Sequence, residues 1–160
     1  MLDAVRAARE LDEVDLADDT VVWGHSQGGG AALWTGQVAP DYAPDVDLAG
    51  VAALAPASDL RGLVDSLMTT TGGSIFASYV AAAYTATYPE LEIDDIVRPA
   101  ARTAFEETSD RCLDGTIIAS ALTSVASGMD MFRPDGIDRL TPRLAENTPT
   151  GPYEMPVLVA

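Results

Sequence analysis

The sequence has no lysine, a single cysteine and a single histidine, and these shortages exclude several kinds of site. Cys112 has no partner within the chain, so an internal disulfide and a cysteine metal cluster are excluded, and Cys112 is predicted to lie in a helix as a small apolar residue. The net charge of −16 argues against nucleic acid or an anionic membrane as a partner. No apolar run is long enough to span a bilayer, and the charged residues 1–13 are not expected to form a signal peptide.

What the sequence does contain is an alternation of helix-like and strand-like stretches in its first third. With 48% hydrophobic residues, the 160-residue chain is long enough to bury a core. The buried-strand signals stand on either side of a helix, which predicts neighbouring parallel strands in a sheet covered on both faces. The predicted elements are a helix over residues 1–13, a strand over Thr20–Trp23, a helix from Gln27 to about Val38 that ends before Pro40, and a strand over Leu48–Ala55.

Helical spacing then dominates from about residue 59 to 146, and a strand signal returns only at Met155–Ala160. So long a helical stretch between two strands of one sheet predicts a cap or lid insertion. The predicted organisation is an α/β core over 1–58, a helical cap over 59–146 and a return to the core sheet over 147–160. The apolar stretches 74–88 and 116–125 are expected to pack as the core of the cap.

The stretch "TVVWGHSQGGGAALW" holds one serine between two glycines where a strand meets a helix. Gly24, Ser26 and Gly28 fit the G-x-S-x-G nucleophile elbow, in which the serine takes a strained backbone conformation and the glycines avoid collisions. Such a serine is exposed at the carboxyl edge of the sheet, above the positive end of a helix. The motif predicts that Ser26 is a nucleophile and that the backbone N–H of Gln27 is an oxyanion donor.

A serine nucleophile needs a general base, and this sequence offers no suitable histidine. His25 is the only histidine, but neighbouring side chains on an elbow point to different sides, so it is not expected to reach the Ser26 hydroxyl. Because α/β-hydrolases present their triad in the order serine, acid, histidine, the acid and the base are expected beyond Ala160, and the chain is expected to be an internal fragment. Asp59 is an alternative acid, although aspartate is common at helix starts and Ser58 or Asp59 is expected to cap a helix there.

The elbow region Thr20 to about Leu63 resembles the secretory lipase family of the α/β-hydrolase fold, the group that includes Candida antarctica lipase A. The segment "AENTPTGPYEMPVLVA" is similar to that family's approach to the strand bearing the catalytic acid. The resemblance implies a triacylglycerol lipase or carboxylesterase with a helical cap that is exported and needs no cofactor or metal. It also implies that Ser26 is the nucleophile and Gln27 an oxyanion donor. In such a lipase, some apolar residues of the stretches 74–88 and 116–125 are expected to line an acyl pocket or meet a lipid interface.

Three functions remain open at this point. The first is a serine ester hydrolase that acts on a lipid or another small ester through an acyl-enzyme. The second keeps the elbow but changes the chemistry to that of a serine peptidase or an acyltransferase. The third is a truncated or degenerate hydrolase domain without activity. The oligomeric state is not predicted by any of these features.

Overall fold

The computed structural model describes residues 1–13, 15–70, 73–112, 115 and 130–160. They form two compact units, one of Met1–Ser58 with Thr148–Ala160 and one of Asp59–Asn147. The first unit contains helix α1 (Leu2–Arg9), strand β1 (Thr20–His25), helix α2 (Gln27–Tyr42), strand β2 (Leu48–Leu54) and strand β3 (Val157–Val159). The second contains helices α3 (Leu60–Met68), α4 (Gly73–Thr87), α5 (Ile93–Ile96), α6 (Arg102–Ser109) and α7 (Thr141–Glu146), with short 3₁₀ turns at Pro99–Ala101 and Ile137–Leu140.

The strands of the first unit form a parallel sheet in the order β1-β2-β3. Val22 lies opposite Val51, which in turn lies opposite Val157, so the short strand β3 begins at the middle of β2 and pairs with its carboxyl-terminal half. The helix α2 connects β1 to β2 and packs against both strands. The parallel strand–helix–strand arrangement predicted from the apolar runs is therefore confirmed.

Only one face of this sheet is covered in the part of the chain that the structure describes. Val22, Val51 and Ala53 are buried in a core shared with Ala32 and Leu33 of α2. The opposite face exposes large apolar side chains, because Val21 is 61% exposed, Trp23 68% and Leu158 59%. The prediction that both faces are covered is wrong for the described residues. The apolar run of β1 is continuous, as in strands buried on both faces, but in this structure only Val22 of the strand is buried and its two neighbours on the strand are exposed.

The helix α2 also runs further than predicted. It continues through Pro40 to Tyr42, although proline was expected to end it. A proline in a helix removes one backbone N–H, and here the N–H of Ala43 still donates to the carbonyl of Ala39 at 2.9 Å. The last turn therefore survives beyond the proline.

The helical unit has its own core, formed by residues of α3 to α7 and the turns between them. The largest of its fully buried side chains are Phe132, Ile96, Leu140, Leu144, Val64 and Val97. In the stretch 74–88, Ile75 is buried and Phe76 is 45% exposed, whereas the stretch 116–125 lies outside the described residues.

Two further features of the described residues bear on the sequence predictions. Cys112 is exposed and follows the end of α6 at Ser109, so the prediction that it lies in a helix is wrong. Among the helices that the structure describes, none combines the length and apolar character that crossing a membrane requires.

An exposed network of charges joins α1 to the end of α2. The guanidinium of Arg6 donates to Asp3 at 2.8 Å and, through Nε, to Asp45 at 2.9 Å. The Tyr42 hydroxyl donates to the Asp3 carboxylate at 2.6 Å. The hydrogen bonds from Arg6 lower the pKa of Asp45 to about 2, and those from Tyr42 and Arg6 lower the pKa of Asp3.

The uncovered sheet face predicts that truncating the smaller side chain, Val22, costs more stability than truncating the larger one, Trp23. Val22→Ala removes a buried side chain and is expected to lower the free energy of unfolding by about 1–3 kcal/mol. Trp23→Ala removes many more atoms, but from an exposed side chain, and is expected to cost less than about 1 kcal/mol. Urea denaturation of the two variants measures both values. A larger loss for Trp23→Ala than for Val22→Ala would show that this face is covered.

The charge network predicts a pH-dependent contribution from Asp45. Because its pKa is lower in the folded chain than the usual 3.8, its ionised form stabilises the fold above about pH 4, and this contribution is lost as the pH falls towards 2. Asp45→Asn is expected to lower the urea midpoint at pH 7, and its difference from the wild type is expected to shrink between pH 4 and 2. Asp41→Asn, an exposed change near the same helix end, is the control. A difference that does not vary with pH would contradict this account.

Candidate active site

Ser26 forms the turn between β1 and α2. Its φ is 56° and its ψ is −119°, a backbone conformation that costs a residue other than glycine about 1–3 kcal/mol. The Ser26 N–H donates to the carbonyl of Leu54 at 2.9 Å, and the Ser26 carbonyl accepts from the N–H of Ala57 at 3.0 Å. Both partners follow or end β2. The neighbouring strand therefore holds Ser26 in its strained conformation.

The two glycines of the motif differ in their surroundings. A Cβ on Gly24 would lie 2.1 Å from the carbonyl oxygen of Gly28, a distance that no folded backbone tolerates. The collision expected at Gly28 itself is not found, because no described atom lies within 4 Å of a Cβ placed there. The steric constraint therefore acts on Gly24 alone. A side chain on Gly24 would collide with the backbone of Gly28, whereas a side chain on Gly28 would point into open space.

The next two glycines let α2 approach the end of β2. A Cβ on Gly29 would lie 3.0 Å from the carbonyl oxygen of Leu54, and a Cβ on Gly30 would lie 2.5 Å from that of Ala57. Both glycines are buried. The run of three glycines thus brings the start of the helix against the strand that also binds Ser26.

The Ser26 side chain is exposed and makes no capping hydrogen bond to the described first turn of α2. Serine at a helix start commonly uses its hydroxyl as a cap, so this hydroxyl is left for other contacts. His25 is also exposed, and the described residues show no hydrogen bond between its imidazole and Ser26. That His25 is not the base stays a prediction.

The start of α2 provides a favourable environment for negative charge. Gln27 is the first residue of the helix, where backbone N–H groups have no acceptor within the helix. The first turn of α2 contains no acidic residue that would offset the positive end of the helix dipole. Its N–H groups are thus suited to a developing oxyanion, and the role of Gln27 as a donor stays a prediction.

The carboxyl ends of all three strands meet beside Ser26. The N–H of Ala55, just after β2, donates to the carbonyl of Ala160 at 2.5 Å, and the N–H of Ala160 donates to Ala53 at 3.1 Å. Ala55 has a φ of 41°, the second positive value at a described residue other than glycine. Ligands of open parallel sheets bind at this edge, which agrees with an active site around Ser26.

Asp59 lies in the helical unit, where it caps α3. Its Oδ1 accepts from the N–H of Gly62 at 2.9 Å, so the predicted capping role is confirmed and belongs to Asp59 rather than Ser58. Its alternative role as the catalytic acid stays a prediction.

Sequence reasoning missed the backbone groups that hold the elbow. Leu54 and Ala57 bind Ser26 through main-chain atoms only, and nothing in the side chain of Ala55 signals a positive φ. Gly29 and Gly30 were the available signal, because consecutive glycines at a helix start indicate close approach to another backbone.

The geometry and the comparisons together define an α/β-hydrolase fold, of which this chain forms a part. Along 98% of its length it superimposes on the rice cell wall degrading esterase LipA of Xanthomonas oryzae, with a TM-score of 0.80 and 19% identity, and it covers 46% of that structure. At this identity the likeness shows the fold alone. The profile of the secretory lipase family matches residues 1–142. The chain belongs to the secretory lipase family.

Relatives at higher identity bear names of two kinds. A secreted triacylglycerol lipase of Malassezia furfur is 28% identical over 144 residues, which are 82% of this chain and 29% of the relative. A probable inactive lipase of Mycobacterium tuberculosis is 39% identical over 62 residues, which are 38% of this chain and 14% of the relative. The chain therefore spans less than a third of the length of these relatives.

The different surroundings of Gly24 and Gly28 predict opposite effects of the same substitution. Gly24→Ala is expected to lower the free energy of unfolding by about 3 kcal/mol or more, since the new Cβ meets backbone atoms. Gly28→Ala places its Cβ in open space within a helix and is expected to raise it by roughly 0.5–1 kcal/mol. Equilibrium denaturation of both variants is the measurement. Equal losses at the two positions would contradict the one-sided contact.

Proposed function

We propose that this chain carries the nucleophile of a secreted serine ester hydrolase. The observation that carries the proposal is the conformation of Ser26: an exposed hydroxyl on a strained turn, at the carboxyl edge of a parallel sheet and at the start of a helix. Membership of the secretory lipase family supports the same chemistry. Acyl transfer through a serine requires no metal or cofactor.

In the proposed mechanism, Ser26 Oγ attacks the carbonyl carbon of an ester while a general base takes its proton. The carbonyl electron pair moves onto oxygen, and the N–H of Gln27 at the start of α2 stabilises that oxyanion. The intermediate collapses, and the alcohol leaves with the proton from the base. Water then attacks the acyl-enzyme by the same route, releasing the acid and restoring Ser26.

The base and the acid are proposed to come from protein segments outside these 160 residues. The single histidine of the sequence, His25, directly precedes Ser26. The described structure shows no hydrogen bond between these two side chains. The relatives are much longer than this chain, which leaves room for both groups. The proposal therefore separates a positioned nucleophile, carried here, from its activation, supplied elsewhere.

The proposed substrate is a carboxylic ester with an apolar acyl chain. A relative is named as a secreted triacylglycerol lipase, and a structural neighbour as an esterase. The proposed location is extracellular, following the family. We assign the helical unit the role of a substrate-binding cap, and exposed apolar residues such as Phe76 suit transient contact with a neutral lipid interface. The net charge of −16 opposes an anionic one.

The second candidate is a hydrolase domain without catalytic activity. It is favoured by the relative named as a probable inactive lipase and by the lack of a histidine after Ser26 in the sequence. The two candidates differ in one observable property, the reactivity of the Ser26 hydroxyl.

The proposal is tested on an extended protein, in which this chain is expressed together with the coding sequence that flanks it. The rate of ester hydrolysis is measured. Ser26→Ala is expected to reduce hydrolysis of p-nitrophenyl esters by about 10³-fold or more and to abolish labelling by a fluorophosphonate. His25→Ala, the matched control at the preceding position, is expected to hydrolyse the esters at a rate within about tenfold of the wild type.

Three results would decide against this account. If the wild-type extended protein does not react with the fluorophosphonate, the inactive candidate is favoured. If His25→Ala is as inactive as Ser26→Ala, His25 takes part directly in the chemistry. A preference for p-nitroanilides over the esters would indicate a peptidase.

A further inference from the structure

The side chain of Gln37 makes a contact that joins distant parts of the chain. Gln37 lies half-buried on α2, and its Oε1 accepts from the backbone N–H groups of Thr150 at 3.0 Å and of Gly151 at 2.9 Å. These residues are 113 and 114 positions away in sequence, and all of them belong to the same compact unit. We name this pair of hydrogen bonds the Gln37 contact.

The segment held by this contact leads directly into β3. Tyr153 packs on the core of the first unit, and a Cβ on Gly36, the neighbour of Gln37 on α2, would lie 3.3 Å from its ring. The carbonyl of Pro156 then accepts from the N–H of Val51 at 3.0 Å. The approach to β3 is thus bound first to the helix and then to the neighbouring strand.

The strand β3 has little to hold it by itself. It is three residues long, and Leu158 and Val159 are 59% and 60% exposed. Within the strand only Val157 packs, half-buried, on the core of the first unit, so burial of apolar surface, which normally fixes the register of a strand, is limited here. A slip of one residue would move the strand end by about 3.3 Å and reverse the face of every side chain. The contacts that precede the strand therefore contribute to its register.

The register of β3 matters because the strand ends beside the elbow. Val159 lies opposite Ala53, and the carbonyl of Ala160 accepts from the N–H of Ala55. The residue before Ala55, Leu54, accepts from the N–H of Ser26. The end of β3 is thus connected to the Ser26 turn through the end of β2.

We propose that Gln37 is a positioning residue, whose side-chain oxygen fixes the register of β3 and so places the end of that strand beside Ser26. The carboxyl oxygen of glutamate would make the same two contacts, whereas methionine has a similar length and only a weakly accepting sulfur. The importance of this position for ester hydrolysis rests on the function proposed above, whereas the register itself does not.

Amide hydrogen exchange on the 160-residue chain tests the proposal. Gln37→Met is expected to increase exchange about tenfold at Thr150, Gly151 and residues 157–160, while β1 and β2 keep their protection. Gln37→Glu is expected to stay within about twofold of the wild type at the same amides. Val38→Met, an exposed change at the next position of α2, controls for the introduction of methionine.

Three results would overturn the proposal. The first is unchanged exchange in Gln37→Met, and the second is equal loosening in Gln37→Glu and Gln37→Met. The third is a loss of protection in Gln37→Met that is as large in β1 and β2 as at residues 157–160, because Gln37 would then stabilise the whole unit without a specific effect on β3.

A kinetic measurement on the extended protein separates the two proposals. Gln37→Met is expected to lower kcat about tenfold with little change in KM, and Gln37→Glu to restore kcat. If the wild type hydrolyses no ester, the proposed function fails while the exchange result still decides the register. If the wild type is active and Gln37→Met keeps full kcat, the positioning role fails alone.

Discussion

The close approach of Gly24 to Gly28 is the constraint on which the rest of the first unit depends. It lets the chain pass from strand to helix through a single residue, and that residue, Ser26, takes a positive φ as a result. The strain is held in place by hydrogen bonds to Leu54 and Ala57. The steric contact and these hydrogen bonds together fix β1, α2 and the end of β2 relative to one another.

How much of this the sequence could predict depends on the range of the interactions involved. The elbow, the order of the elements and the cap at Asp59 rest on local patterns, such as glycine spacing and an acidic residue before a helix. The positive φ of Ala55 and the Gln37 contact depend on partners far away in sequence, and neither residue type signals its role. Continuation of α2 past Pro40 was missed because the proline rule weighs one lost hydrogen bond, whereas the helix retains its others.

The prediction that both faces of the sheet are covered also rested on a local pattern. The continuous apolar run of β1 is typical of strands buried on both sides, yet the described residues cover only the side of Val22 and leave Trp23 exposed. The chain also covers 46% of the LipA structure. The elbow is nevertheless present, because the contacts that shape it come from β1, α2, the end of β2 and the segment after β2. The proposed function therefore separates the placing of the serine from its activation.

The most direct test of the central claim is a crystal structure of the extended protein after reaction with a fluorophosphonate. The account predicts a phosphonyl group bonded to Ser26 Oγ, with Ser26 retaining a φ near 56° and the phosphonyl oxygen about 2.7–3.1 Å from the backbone nitrogen of Gln27. Modification of a different residue would contradict it. An adduct on Ser26 whose phosphonyl oxygen points away from the start of α2 would also contradict it.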